Sequence, residues 1–230
     1  MRLTRTYQLP YQSMKNYLSN LRTTVWRTSS ARYNAARRLK RRELFSTVSL
    51  AFFSAMSVAV AFLQRIYATP ASNADNYFTM LSAGLGIFLL TISLIELGAG
   101  TGAKAEALHK NAEELNGLQN KLALELAKLD SGKALDWQHI ETLSLEYEEK
   151  RINCRHNHAP IDDKCFLASK RKSSEFLNSE KKPAIGQANA IWINFLWQFA
   201  SIWYFSFFWI IISIAIILPW FFPGWWGKAS

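Results

Sequence analysis

Residues 44–64 read LFSTVSLAFFSAMSVAVAFLQ and residues 76–95 read NYFTMLSAGLGIFLLTISLI, and neither run contains a charged side chain. Each holds about the 20 residues a helix needs to cross a ~30 Å hydrocarbon core. The connection, residues 65–75, is short and carries turn material at Thr69, Pro70, Ser72 and Asn73. Lipid offers the backbone no hydrogen-bonding partner, so two adjacent runs of this kind predict an up-down pair of membrane-spanning helices. The fold class that follows is an all-α integral membrane protein built on a two-helix transmembrane hairpin.

The rest of the 230 residues divides around this hairpin into 1–43, 44–97, 98–182 and 183–230. The soluble remainder is too small for an ordinary enzyme core standing alone. The net charge of +10 would point a soluble protein toward nucleic acid or anionic lipid. In a membrane protein it first means cytoplasmic flanks. Eleven Lys or Arg precede residue 44, only Arg65 lies in the connection, and fourteen lie in 98–182. The N-terminus and the middle region are therefore expected in the cytoplasm and the connection outside. The first apolar run starts too late and runs too long to be the core of a secretory signal. Cys154 and Cys165, the two cysteines, fall in the segment read as cytoplasmic, where a disulfide is not expected.

Met14, Leu18, Leu21 and Val25 recur at helical spacing, an amphipathic segment. Ser29 or Ser30 then reads as the cap of a second helix over 31–43 that runs into the first span. Its cluster Arg37, Arg38, Lys40, Arg41 and Arg42 reads either as a lipid-headgroup anchor or as a nucleic-acid or nucleotide contact. Gly98, Gly100 and Gly102 follow the second span, as a hinge or as a place for close helix packing. Leu108, Leu115, Leu122 and Leu129 repeat every seven residues, with Ala112, Leu118 and Leu126 widening the stripe, which predicts a coiled-coil-like seam. Ser131-Gly132 breaks it, and Asp136 caps a return helix through Ile152 with Leu135, Ile140, Leu143 and Tyr147 inward. The pair forms a long cytoplasmic helical hairpin.

Residues 153–182 read as a polar, basic loop that includes Lys170, Arg171 and Lys172. Residues 183–227 then carry no charge and seven of the nine tryptophans. Forty-five residues would make about 68 Å of helix, too long for one crossing. Trp203 and Trp220, about 26 Å apart on a helix, suit two membrane interfaces. Residues 185–201 are thus expected as an amphipathic or partly inserted helix and 202–222 as a third span ended by Pro219, Pro223 and Gly224. That arrangement puts the C-terminus in the periplasm, whereas a re-entrant pair would put it inside.

Cys154, His156, His158 and Cys165 are of metal-ligand type, but their spacing does not match zinc-binding pairs, and no metal is expected. The glycines after the second span precede no GKS or GKT, and no serine sits in a nucleophile motif. No enzyme and no cofactor are expected. The spans do carry weakly polar stripes: Thr79, Ser82, Gly86 and Ser93 on the second, with Glu96 at its edge, and Ser46, Ser57 and Gln64 on the first, flanked by Ser54 and Ala61. Asn194, Gln198 and Ser201 form another in the tail. Such stripes are helix-packing surfaces, or they line a water-filled path to which Glu96 gives charge. Three spans enclose little, so a pore needs a homo-oligomer. Glu96, one turn from the interface, would otherwise snorkel to water.

The lead-in 32-RYNAARRLKRR-42, the second span continuing into a long helix with a return partner, and 157-NHAPID-162 together resemble the SLATT family. These are SMODS- and SLOG-associating two-transmembrane effectors. The turn Asn157, His158, Pro160, Ile161 and Asp162 is similar to the Asn-His-x-Pro-Ile-Asp signature of the fifth subclass, with Asp163 standing where an aromatic would follow. The resemblance implies an effector of bacterial antiviral, abortive-infection defence that damages the inner membrane. It also implies a partner sensor, here a reverse transcriptase, with nucleic acid or a nucleotide second messenger as the signal. In the turn itself Pro160 fixes the bend while Asn157 and Asp162 bond backbone amides. It either pins the return helix or reads a trigger. The leading expectation is an oligomeric effector assembled through the 108–129 seam and acting on the bilayer. The alternatives are a non-permeating scaffold that tethers a nucleic-acid enzyme, and an ordinary small channel or transporter.

Overall fold

The computed structural model describes residues 3–133 and 135–221. Its helices are α1 (Leu3–Tyr67), α2 (Asn73–Ala99), α3 (Thr101–Asp130), α4 (Trp137–Asn153), α5 (Pro160–Ser169), α6 (Gln187–Phe199) and α7 (Trp203–Phe221), with a 3-10 turn at Ser174–Phe176. They cluster into two compact units, one of residues 1–38 and 103–198, the other of 39–102 and 199–230. Two helices, Tyr11–Tyr67 and Asn73–Asp130 (the second taken across the joint at Gly100), are long and apolar enough to cross a membrane.

In the first unit the amphipathic N-terminal stretch finds its complement in the same chain. Leu18, Leu21 and Val25 of α1 share one core with Leu115, Leu118, Leu122 and Leu129 of α3 and Ile140, Leu143 and Tyr147 of α4. Leu115 and Leu122 are fully buried there. The heptad seam, expected to assemble copies of the chain, is consumed inside one copy. Polar bonds edge this three-helix core: Lys15 Nζ lies 2.6 Å from Asp130 Oδ1, and the Tyr147 and Thr28 hydroxyls are 3.1 Å apart. The turn after α3 closes as expected, with Gly132 at φ 86° and Lys133 N–H donating to Lys128 O across the end of the helix. Asp136 stands at the N-cap of α4 in extended conformation, but its side chain makes no capping bond.

Two further expectations for this unit are corrected. No helix starts at Ser29 or Ser30, because α1 is continuous there. Between Pro10 and Pro70 the sequence has neither glycine nor proline to interrupt it. The Ser29 hydroxyl instead donates to Ala112 O at 3.0 Å. The stretch read as a loop contains α5, whose Cys165, Phe166 and Ala168 are buried. Phe166, Phe176 and Trp26 meet as a ring cluster with centroids 5.3 to 5.5 Å apart.

The second unit packs the membrane hairpin through bulk. Phe53 and Val60 of α1, Leu85 of α2 and Ile212 of α7 form its core, flanked by Met56, Phe78, Leu81, Phe88, Leu89 and Trp209. Ile92 is fully buried as well. Facing outward, Val58, Phe62, Met80, Ile87, Leu90 and Leu97 are 58–81 % exposed, an apolar surface that water would not favour and lipid would. At the connection, Gln64 Nε2 donates to Asp75 Oδ1 and Thr79 Oγ1, and Ser72 caps α2. The glycines after α2 divide their roles: Gly100 is the left-handed C-cap, φ 55°, and a Cβ at Gly102 would collide with the Glu43 carboxylate.

The tail forms two helices, α6 and α7, broken at residues 200–202. They supply a third crossing only if the pair makes one span. Pro219 does not end α7, which continues to Phe221. The Trp220 side chain, Pro223, Gly224 and the C-terminus lie outside the described residues.

Candidate functional site

The signature turn is the start of a helix. Ala159 is the N-cap of α5, Pro160 occupies the first turn where its missing N–H costs nothing, and Asp162 stands at the third position. From there the Asp162 carboxylate accepts the Ala159 N–H at 2.9 Å, the reach-back half of a capping box. Asn157 Oδ1 accepts the His158 N–H at 2.9 Å and tightens the approach.

Asp162 then does more than cap. It is wholly buried, and Arg38 grips it with two bonds, Nε to Oδ1 at 2.9 Å and a terminal nitrogen to Oδ2 at 3.0 Å. The Trp197 indole N–H of α6 donates to Oδ1 at 2.9 Å, and Asn34 Nδ2 donates to the Asp162 carbonyl at 3.0 Å. A buried carboxylate with this many donors is fully compensated. One residue thus ties α1, α5 and α6 together. Asp163, in the place where the resemblance expects an aromatic, forms a paired contact with Arg27, both bonds 2.7 Å.

His158 is left differently. Its Nδ1 is buried with no partner among the described residues. Burial pushes its pKa below the ordinary histidine value; Asp163 and Asp162 oppose the shift, while Arg32 and Arg27 assist it. The imidazole is thus held neutral. Arg32, itself buried, donates to Asn111 Oδ1 and to Arg151 O, and burial lowers its pKa too. The Cys154 thiol donates to His156 O, and the Cys165 thiol meets Asn194 Oδ1 at 3.4 Å.

The basic residues do not act as one surface. Arg38 is spent on Asp162 and Arg42 on Glu96, while Arg37 donates to Asn34 Oδ1 at 2.9 Å. Lys40 and Lys172 are exposed and Arg171 is half-buried. Lys170 Nζ lies over the Trp26 ring, 5.9 Å from its centroid.

In the membrane unit, Glu96 is only 10 % exposed and accepts both Arg42 bonds on one oxygen, at 3.2 and 2.7 Å. Its other oxygen and the Tyr204 hydroxyl are buried without hydrogen-bond partners among the described residues. The Glu96 charge is therefore offset by Arg42, while one of its oxygens carries no hydrogen bond among the described residues. The small-residue positions divide between open surface and packed interior. Ser54, Gly86 and Ser93 are exposed, and a Cβ on Gly86 would meet nothing within 4 Å. Ser57 and Ser82 are half-buried, the Ser82 hydroxyl without a hydrogen-bond partner among the described residues. Ser46 and Ser49 are buried, Ser49 accepting the Trp209 N–H at 3.1 Å.

No curated protein and no solved structure matches the chain. A family model does, over residues 14–222, from the amphipathic stretch of α1 to the end of α7. The chain belongs to the SMODS and SLOG-associating 2TM effector domain family 5, SLATT_5, and is a membrane effector domain of the two-transmembrane type.

Proposed function

We propose that this effector serves a bacterial antiviral, abortive-infection system: resident in the inner membrane, it self-associates through the hairpin and permeabilises the bilayer when a partner sensor signals. A reverse transcriptase or its nucleic-acid product is the proposed trigger, received by the unit that carries the signature turn. The excess of Lys and Arg in residues 1–43 and 98–182 supports a cytoplasmic location for that unit.

The observation that carries the permeation reading is the open weakly polar set on the hairpin. Ser54, Gly86 and Ser93 stay uncovered while large apolar residues fill the unit's core. Small residues on a lipid-facing surface allow another helix to approach closely, and hydroxyls facing one another across such a contact admit water. Glu96, with one oxygen unclaimed, would set cation preference at the inner end.

The test is overexpression of the full chain in bacteria, at a level that drives self-association without the sensor's signal, read with a membrane-potential dye. Wild type is expected to depolarise the cells. The double variant Gly86→Leu, Ser93→Leu is expected to insert to the same level and leave the potential intact. If wild type is as silent as the variant, and is also silent in anionic liposomes, the protein is a tether and not a permeating effector.

A further inference from the structure

Two cations of the signature-bearing unit, far apart in the chain and in no ion pair with a carboxylate among the described residues, meet at one place. Arg37 of α1 and Lys170, the C-cap of α5, both line one open pocket of about 240 Å³. Several other cations of the unit are spent: Lys15 on Asp130, Arg22 on Glu175, Arg27 on Asp163, Arg38 on Asp162.

Both are positioned. Asn34 Oδ1 accepts one Arg37 terminal nitrogen, and Asn34 is held in turn by the Asp162 carbonyl, so the guanidinium is oriented with further N–H groups unspent. The Trp26 ring beneath Lys170 steadies the ammonium without neutralising it. Ser30 and Ser169 add hydroxyls to the same wall. Tyr33 and His109 supply the apolar side, their rings edge to face at 5.2 Å. Glu113, the nearby acid, pairs with His109 at 3.4 Å and is not part of the lining. Burial first, and Glu113 second, raise the Tyr33 pKa, so the phenol stays neutral beside an anion.

Cations set for a phosphate, next to a ring face suited to a base, form a specific combination. We propose that this pocket binds a single nucleotide unit, its phosphate on Arg37 and Lys170 and its base against the Tyr33–His109 rings. The pocket is open and its volume is below the ~300–1,000 Å³ of sites that enclose a whole drug-sized ligand, so a nucleotide held there keeps part of its surface in solvent. The unit comes either as a free mononucleotide or as one residue of a single strand. The inference gives chemistry to the proposed trigger and rests on that reading for its role, but binding is measured without any leak.

The experiment is calorimetric titration of the detergent-solubilised full chain with AMP, GMP, CMP, UMP, inorganic phosphate and a short oligouridylate. At least one monophosphate is expected to bind more tightly than phosphate. Arg37→Gln with Lys170→Gln should weaken it by about tenfold or more. Tyr33→Leu should weaken the monophosphate and leave phosphate binding unchanged, which a general loss of folding would not do. If the double variant misfolds, Lys170→Gln alone carries the charge test. Tighter binding of oligouridylate than UMP assigns the source to a strand, and the reverse to a free nucleotide. No binding, phosphate bound as tightly as every monophosphate, or binding untouched by the variants overturns the proposal. Nucleotide binding in a protein that never depolarises cells would leave this inference standing and remove the effector reading.

Discussion

Asp162 has its whole carboxylate committed, to two nitrogens of Arg38, the Trp197 indole and the Ala159 amide. Asp162→Asn keeps the volume and removes the charge, leaving the Arg38 guanidinium, itself only 18 % exposed, without its counter-ion. Breaking a buried pair of this kind costs about 3–5 kcal/mol. The variant is expected to show a sharply lower apparent melting temperature and little folded protein in membranes. A variant that melts like wild type would free the signature turn for a purely signalling role. His158 is the contrasting residue of the same turn, with a buried nitrogen unclaimed among the described residues and a neutral ring. The local chemistry of the turn was legible from Pro160 and Asp162, both of which favour a helix start. The partners were not, because Arg38 and Trp197 lie 124 and 35 positions away and carry no local mark of the pairing.

Among the elements, the membrane hairpin was plain because an uncharged run of span length suits a bilayer far better than it suits water. The heptad seam was equally plain as a pattern but not in its partner: periodicity locates an apolar face and is silent on whether its complement sits in the same chain. Here that complement is Leu18, Leu21 and Val25. The consequence is measurable. Leu122→Ala removes a fully buried side chain and should cost about 2–5 kcal/mol, seen as a lower melting temperature at unchanged oligomeric state. Leu124→Ala, at a position 56 % exposed, should stay within about 0.5 kcal/mol of wild type. Should Leu122→Ala dissociate an oligomer without loss of stability, the seam is intermolecular after all. Helix α5 escaped the periodicity because ten residues with two acids and a lysine show little apolar repeat. The signal that does find it is Pro160 at the first position with Asp162 two residues on.

For the molecule as a whole, charge asymmetry supports one orientation, with the connection outside. Thr69→Cys, in a background with Cys154 and Cys165 replaced by serine, is expected to react with a membrane-impermeant maleimide on intact spheroplasts. Ser230→Cys, in the same background, reacts from outside if the tail crosses once and only after lysis if α6 and α7 form a re-entrant pair. Thr69→Cys labelled only after lysis would invert the whole arrangement.

The carboxylate at Asp162 also constrains what descent can do with this chain. Arg38 and Trp197 both donate to Asp162, so a lineage that loses the acid leaves the guanidinium without its counter-ion and the indole without this acceptor. Drift at these positions is therefore expected to be correlated: relatives that exchange the acid for a neutral residue should also have abandoned the cation and the indole. The neighbouring pair, Arg27 with Asp163, is solvent-facing enough to change one partner at a time.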